Sequence, residues 1–94
     1  MTKRIVQLTA EQLGLPPEHF AHLAIDKDDN DRVITLVFVK VSEEHKGYFR
    51  ALVEAVEATG YKVHIFQPIA RTQGIISRMG YAPMNEAIWS KGGI

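Results

Sequence analysis

From Val33 to Val39 every position except Thr35 is apolar, and β-branched residues dominate Arg32 to Val41. Such a run predicts a strand covered on both faces. The hydrophobic spacing then changes to the helical period. Phe49, Leu52, Val53 and Val56 fall on one face of a helix over 47–58, with Arg50, Glu54 and Glu57 elsewhere on it. Gly60 follows as a left-handed cap. Alternation returns over 61–66, with Tyr61, Val63 and Ile65 on one side and Lys62, His64 and Phe66 on the other, and Pro68 ends the segment. Residues 70–79 predict a second helix, stopped by Gly80, and 81–90 a last strand broken near Pro83. The order strand, helix, strand, helix, strand implies at least one parallel crossover of the usual right hand.

The first third is less regular. Lys3 to Leu8 reads as a short strand. Thr9-Ala10-Glu11-Gln12 is a capping box, in which the Thr9 hydroxyl and the Gln12 amide each satisfy a free backbone N–H. It opens a short helix through Leu13 that Gly14 stops. Pro16-Pro17-Glu18 suits a first helical turn, while Phe20 to Ile25 suits a strand equally well, so 17–25 stays open between the two. Asp26 to Asp31 reads as a polar turn. It has oxygens at the first, third and fifth positions of a calcium loop, but Asp31 stands where that loop needs Gly and Val37 where it needs a bidentate Glu. A solvated turn is the expectation, and no metal.

At 94 residues the chain makes one thin-cored domain. Eleven Lys and Arg balance eleven Asp and Glu, so nothing draws it to nucleic acid or to an anionic membrane. No segment reaches the ~18–20 apolar residues of a membrane span. The first dozen residues do not resemble a leader. The chain has no cysteine, hence no disulfide, thiolate metal site or thiol nucleophile. The expected location is the cytoplasm, or a phage particle assembled there. His19 and His22 would share a helix face if that segment were helical, but two ligands without a third make a poor metal site. Neither a Gly-x-Ser-x-Gly elbow nor a phosphate-binding P-loop occurs. Trp89 is either a core residue or an interface anchor near the C-terminal end.

Two stretches carry a family resemblance. Phe38 to Ala55 resembles the central strand, pyrophosphate loop and following helix of the GNAT superfamily of acetyl-CoA-dependent N-acetyltransferases. Ile75-Ile76-Ser77-Arg78-Met79-Gly80-Tyr81-Ala82-Pro83 is similar to that family's late helix end and Gly-aromatic turn. The resemblance covers about 33–90. It implies an α/β (α+β) single GNAT-like domain over 1–94: a reduced N-terminal part, 1–31, and an acyl-CoA-binding-like core, 32–90, with a mixed sheet, a central βαβ unit and helices packed on it.

In that family the loop pattern is Gln or Arg, two residues, Gly, one residue, then Gly or Ala. Here Glu44 stands at the first position and Phe49 at the last, and Gly47 alone is kept. The resemblance implies acetyl-CoA as the cofactor, held by Val39, Val41, His45, Lys46, Gly47 and Tyr48. It also implies lost chemistry. Ile76 occupies the position of the family's Tyr general acid and Ile69 that of its Asn, and isoleucine donates no proton. Tyr48 is the one nearby substitute donor, and Arg32 to Val41 holds no carboxylate to act as base. The reading is a degenerate, non-catalytic binding or structural protein, a homo-oligomer or a subunit of a larger assembly. The alternative is an active N-acetyltransferase.

Overall fold

The computed structural model describes residues 5–44 and 46–91. Among these, six strands form one mixed sheet and two α-helices pack on it. In chain order the elements are β1 (Ile5–Leu8), β2 (Phe20–Asp28), β3 (Val33–Val41), α1 (Tyr48–Glu57), β4 (Lys62–Phe66), α2 (Ala70–Arg78), β5 (Tyr81–Pro83) and β6 (Ile88–Lys91). Across the sheet they run β1-β2-β3-β4-β6-β5. The domain is thus of the α+β class. β3 and β4 are parallel neighbours joined by α1, and the other pairs are antiparallel.

The capping box closes as read: the Thr9 amide donates to Gln12 Oε1 at 2.9 Å and the Gln12 amide to Thr9 Oγ1 at 3.3 Å. What it opens is a 3₁₀ turn, Glu11–Leu13, ended by Gly14 in the left-handed conformation. The open question over 17–25 resolves to both answers in sequence. Pro17–His19 is a single 3₁₀ turn, and Phe20 begins β2. Pairing along most of β3 decides it, a long-range effect that outweighs the local helix signal of Pro17 and Glu18. β2 also runs into the expected polar turn as far as Asp28. The reversal needs only the next few residues, and Asp28 Oδ1 accepts the amides of Asn30 and Asp31 at 2.9 and 3.2 Å. The last segment is two strands. Asn85 Oδ1 accepts the amides of Ala87 and Ile88, both at 2.8 Å, and the resulting turn folds β6 back between β4 and β5.

Leu52, Val53 and Val56 of α1 are fully buried together with Ile76 of α2, against Ile25, Ile34, Leu36, Val63 and Ile65 of the sheet. Val63 and Ile65 point to one side of β4, so both helices cover the same face of the sheet. The strand over 33–41 is therefore not covered on both faces, as its continuous apolar run suggests. The run has a different cause. Ile25 stands opposite Leu36 and Ala24 opposite Phe38, so Val37 has no partner on β2. It is the extra residue of a β-bulge, and the alternation slips by one there. Ile34 and Leu36 face the helices before it; Val39 also packs toward the core after it, while Phe38 and Lys40 are exposed on the other side. Inward residues at even positions before Val37 and at odd positions after it, together with Val37 and the outward Phe38, make the stretch from Leu36 to Val39 apolar throughout.

Candidate functional site

The bulge coincides with a separation. β3 and β4 pair from Val33 opposite Lys62 to Leu36 opposite Ile65, and no further. Bulges bend the strand that carries them and raise its twist. From Val37 on, the edge of β3 facing β4 has no strand partner, and its amides and carbonyls turn into a cleft. At the end of β4, Gln67 takes a left-handed backbone, φ 42°, and its amide donates to the Ala87 carbonyl at 2.6 Å. β4 is thereby turned toward β6 and away from β3.

The cleft has a volume of about 910 Å³. Leu36, Val37, Ile65 and Phe66 line it where the strands part, and α2 contributes Arg71, Thr72, Ile75 and Arg78. Its other wall is the loop into α1. Of the residues singled out from the sequence, Val39, Val41, Lys46, Gly47 and Tyr48 all line this one cavity; His45 lies outside the described residues. Gly47 is the N-cap of α1 at φ 76°, and a Cβ there would touch nothing within 4 Å. Its glycine is required by the backbone angle, which L-residues adopt at a cost, and not by crowding. The first-turn amides of α1 have no partner within the helix and carry its positive dipole end.

Phe49, the departure from a small residue, packs on the core. Glu44, the other departure, is ion-paired with Arg71 across the mouth of the cleft. Its negative charge is thus answered by α2. The described cleft residues include Lys40, Lys46, Arg50, Arg71 and Arg78 against Glu43 and Glu44. A chain of zero net charge concentrates positive charge here. Arg71, Ile75 and Arg78 were not singled out from the sequence; their one local signal is a spacing that places them along one face of α2.

Tyr48 is half-buried, and its ring stacks on His19 at 3.8 Å between centroids and 8° between planes. The 3₁₀ turn that carries His19 is fixed in place by its carbonyl, which accepts the Ser42 amide at 2.8 Å. The N-terminal segment thus braces the start of α1. His19 and His22 do not share a helix face. His22 lies on β2 and meets Phe38 edge-on at 6.1 Å. Ile76 is fully buried and Ile69 exposed. Trp89 is half-buried against the core.

A smaller cavity of about 280 Å³ lies on the other face of the sheet, between Asp26, Asp28, Asp31, Val33, Thr35 and His64. Among the described residues no three His, Asp or Glu are grouped to hold a metal ion. Burial, then the charge of Lys62, holds the His64 imidazole below its ordinary value of 6.5. The unfolded chain therefore takes up this proton first as pH falls, and folding stability is lost below about pH 6.5. Urea midpoints measured between about pH 7.5 and about pH 5 should fall less steeply for His64→Gln than for the parent. Parallel curves would show that this imidazole does not contribute.

Compared with protein-family models, curated proteins and solved structures, the chain returned no match. Among the described residues no helix is long and apolar enough to cross a membrane.

Proposed function

We propose that the chain is a GNAT-like binding module whose cleft accepts an elongated, phosphate-bearing thioester of the acyl-CoA class and does not transfer the acyl group. The parted strands carry this reading. They leave about 910 Å³ beside a strand edge with unpaired amides, next to a helix N-terminus and a cluster of cations. A pantetheine arm is an extended chain of amides, which a free strand edge recognises by the hydrogen bonds of a β-ladder. A pyrophosphate suits the α1 terminus with Lys46, and Arg78 adds charge from α2. The resident groups therefore fit the ligand.

They do not supply a reaction. Acyl transfer needs a proton donor for the departing thiolate and an acceptor for the incoming amine. Where the strands part, the lining is Leu36, Val37, Ile65 and Phe66, and Ile76 is sealed in the core. Glu44 is engaged by Arg71, Glu43 is exposed on the loop past the end of β3, and the Tyr48 ring is stacked on His19 at the start of α1.

Calorimetry with acetyl-CoA, paired with a free-thiol assay in the presence of amines, tests both halves. Binding with a Kd near or below about 100 μM and no thiol release is the expected result. Thiol release above the uncatalysed rate would establish the acetyltransferase alternative, and no heat at millimolar ligand would remove the ligand. Within the binding reading, Arg78→Glu should weaken acetyl-CoA about tenfold, equivalent to ~1.4 kcal/mol, while leaving thermal unfolding in place, because Arg78 is exposed. An unchanged Kd would take Arg78 out of the site.

A further inference from the structure

Both helices lie on one face of the sheet, and the described residues leave the other face bare. The strand register orders that bare face into bands. One band across the strands is Asp26, Thr35, His64 and Ser90, with Asp28 and Asp31 beyond it at the turn end. The next is apolar: Ala24 opposite Phe38 on β2 and β3, and Phe66 opposite Ile88 on β4 and β6. Phe38 is 54% exposed and Phe66 39%. The last band is His22 opposite Lys40. On β2 and β3 the face therefore runs acidic, apolar, basic, with about 7 Å between bands, while on β4 Lys62 stands in the row of Asp28 at the acidic end.

We infer that this face is the contact surface of a homodimer, with a second copy of the chain as its occupant. A pattern of this kind is complementary to itself. A two-fold axis in the plane of the face, perpendicular to the strands and through the apolar band, lays Phe38 and Ala24 of one copy on the same residues of the other. The same rotation brings Lys40 and His22 over the partner's Asp26 band. Contacts come in reciprocal pairs, as a closed two-fold dimer requires. Sheets packing face to face keep roughly aligned strands about 10 Å apart, within reach of a lysine side chain. Exposed aromatics at the centre of a patch with charges at its rim have the anatomy of a protein interface. His22, Ala24 and Asp26 do not line the cleft, whereas Phe38, Lys40 and Phe66 do, so Ala24→Glu and Asp26→Lys test the contact apart from the cleft.

Sedimentation equilibrium on the full chain, from about 1 to about 200 μM, reads the association directly. The expected result is a monomer–dimer equilibrium that Ala24→Glu shifts to monomer with an unchanged circular dichroism spectrum. Should Ala24→Glu not fold, Phe38→Ser takes its place, since that side chain already meets solvent. Asp26→Lys and Lys40→Glu should each weaken the dimer at least tenfold, and the double variant should recover most of the loss. A monomer at every concentration, including one that leaves the face to a different protein, overturns the inference. So does a dimer indifferent to Ala24→Glu and Phe38→Ser, or a double variant no tighter than either single one.

Discussion

Leu52→Ala is expected to lower the free energy of unfolding by about 3 kcal/mol and the melting temperature by about 15 °C. Leu52 is fully buried, as are Val53 and Val56 beside it, Ile34 and Leu36 beneath it and Ile76 from α2. These residues form the one buried cluster that ties both helices to the sheet. Removing three carbons from its middle loses the transfer free energy of the side chain. It also leaves a cavity that flanking β-branched residues, with few rotamers, refill poorly. A small domain has little stability to spare, so a loss of this size leaves α1 marginal at 37 °C. Urea unfolding followed by circular dichroism measures it. A loss below about 1 kcal/mol would mean that α1 is not packed as described.

Deletion of Val37 should abolish ligand binding with little change in stability. Val37 is the residue without a partner on β2. Without it, Leu36 is followed by Phe38, Val39, Lys40 and Val41 in strict alternation. Leu36, Val39 and Val41 keep the helix-facing side, and Phe38 and Lys40 keep the other. The β2–β3 ladder becomes continuous from His22 to Asp28, leaving only the irregularity between Phe20 and His22, while every inward side chain stays inward. What is lost is the bend that carries β3 away from β4, and with it the free strand edge inside the cleft. The melting temperature should stay within about 5 °C of the parent, while the acetyl-CoA Kd rises at least tenfold. A deletion variant that still binds normally would show that the bulge does not make the cleft. One that fails to fold would show that Val37 serves packing instead.

The second half of the fold was legible because its signals are local. Phe49, Leu52, Val53 and Val56 repeat at helical spacing, Val63 and Ile65 alternate, and Gly47, Gly60 and Gly80 stand at positive φ where the chain turns. The bulge was not legible, because the apolar stretch from Leu36 to Val39 satisfies both phases of alternation and no polar residue stands beside Val37 to mark the slip. The fate of 17–25 was undecidable locally, since Pro17 favours a helical turn and only pairing with β3 extends Phe20–Asp28. The placement of β6 between β4 and β5 follows from Asn85, whose side chain builds the turn. Pro83 alone suggested a break in one strand. Of the cleft, the stretch from Val39 to Tyr48 could be read because it is contiguous. The contribution of α2 depends on long-range packing, as does the stacking of His19 on Tyr48.

The cleft opened between β3 and β4 is the proposed seat of an acyl-CoA-type ligand. Titrating ¹⁵N-labelled protein with acetyl-CoA and following the backbone amides tests this most directly. The amides of Val39, Val41, Lys46, Gly47 and Tyr48 should move together, saturating with one Kd, while those of β1 and the Asn30 turn stay still. Saturable shifts confined to residues away from β3 and the start of α1, or no shift at millimolar ligand, would contradict it.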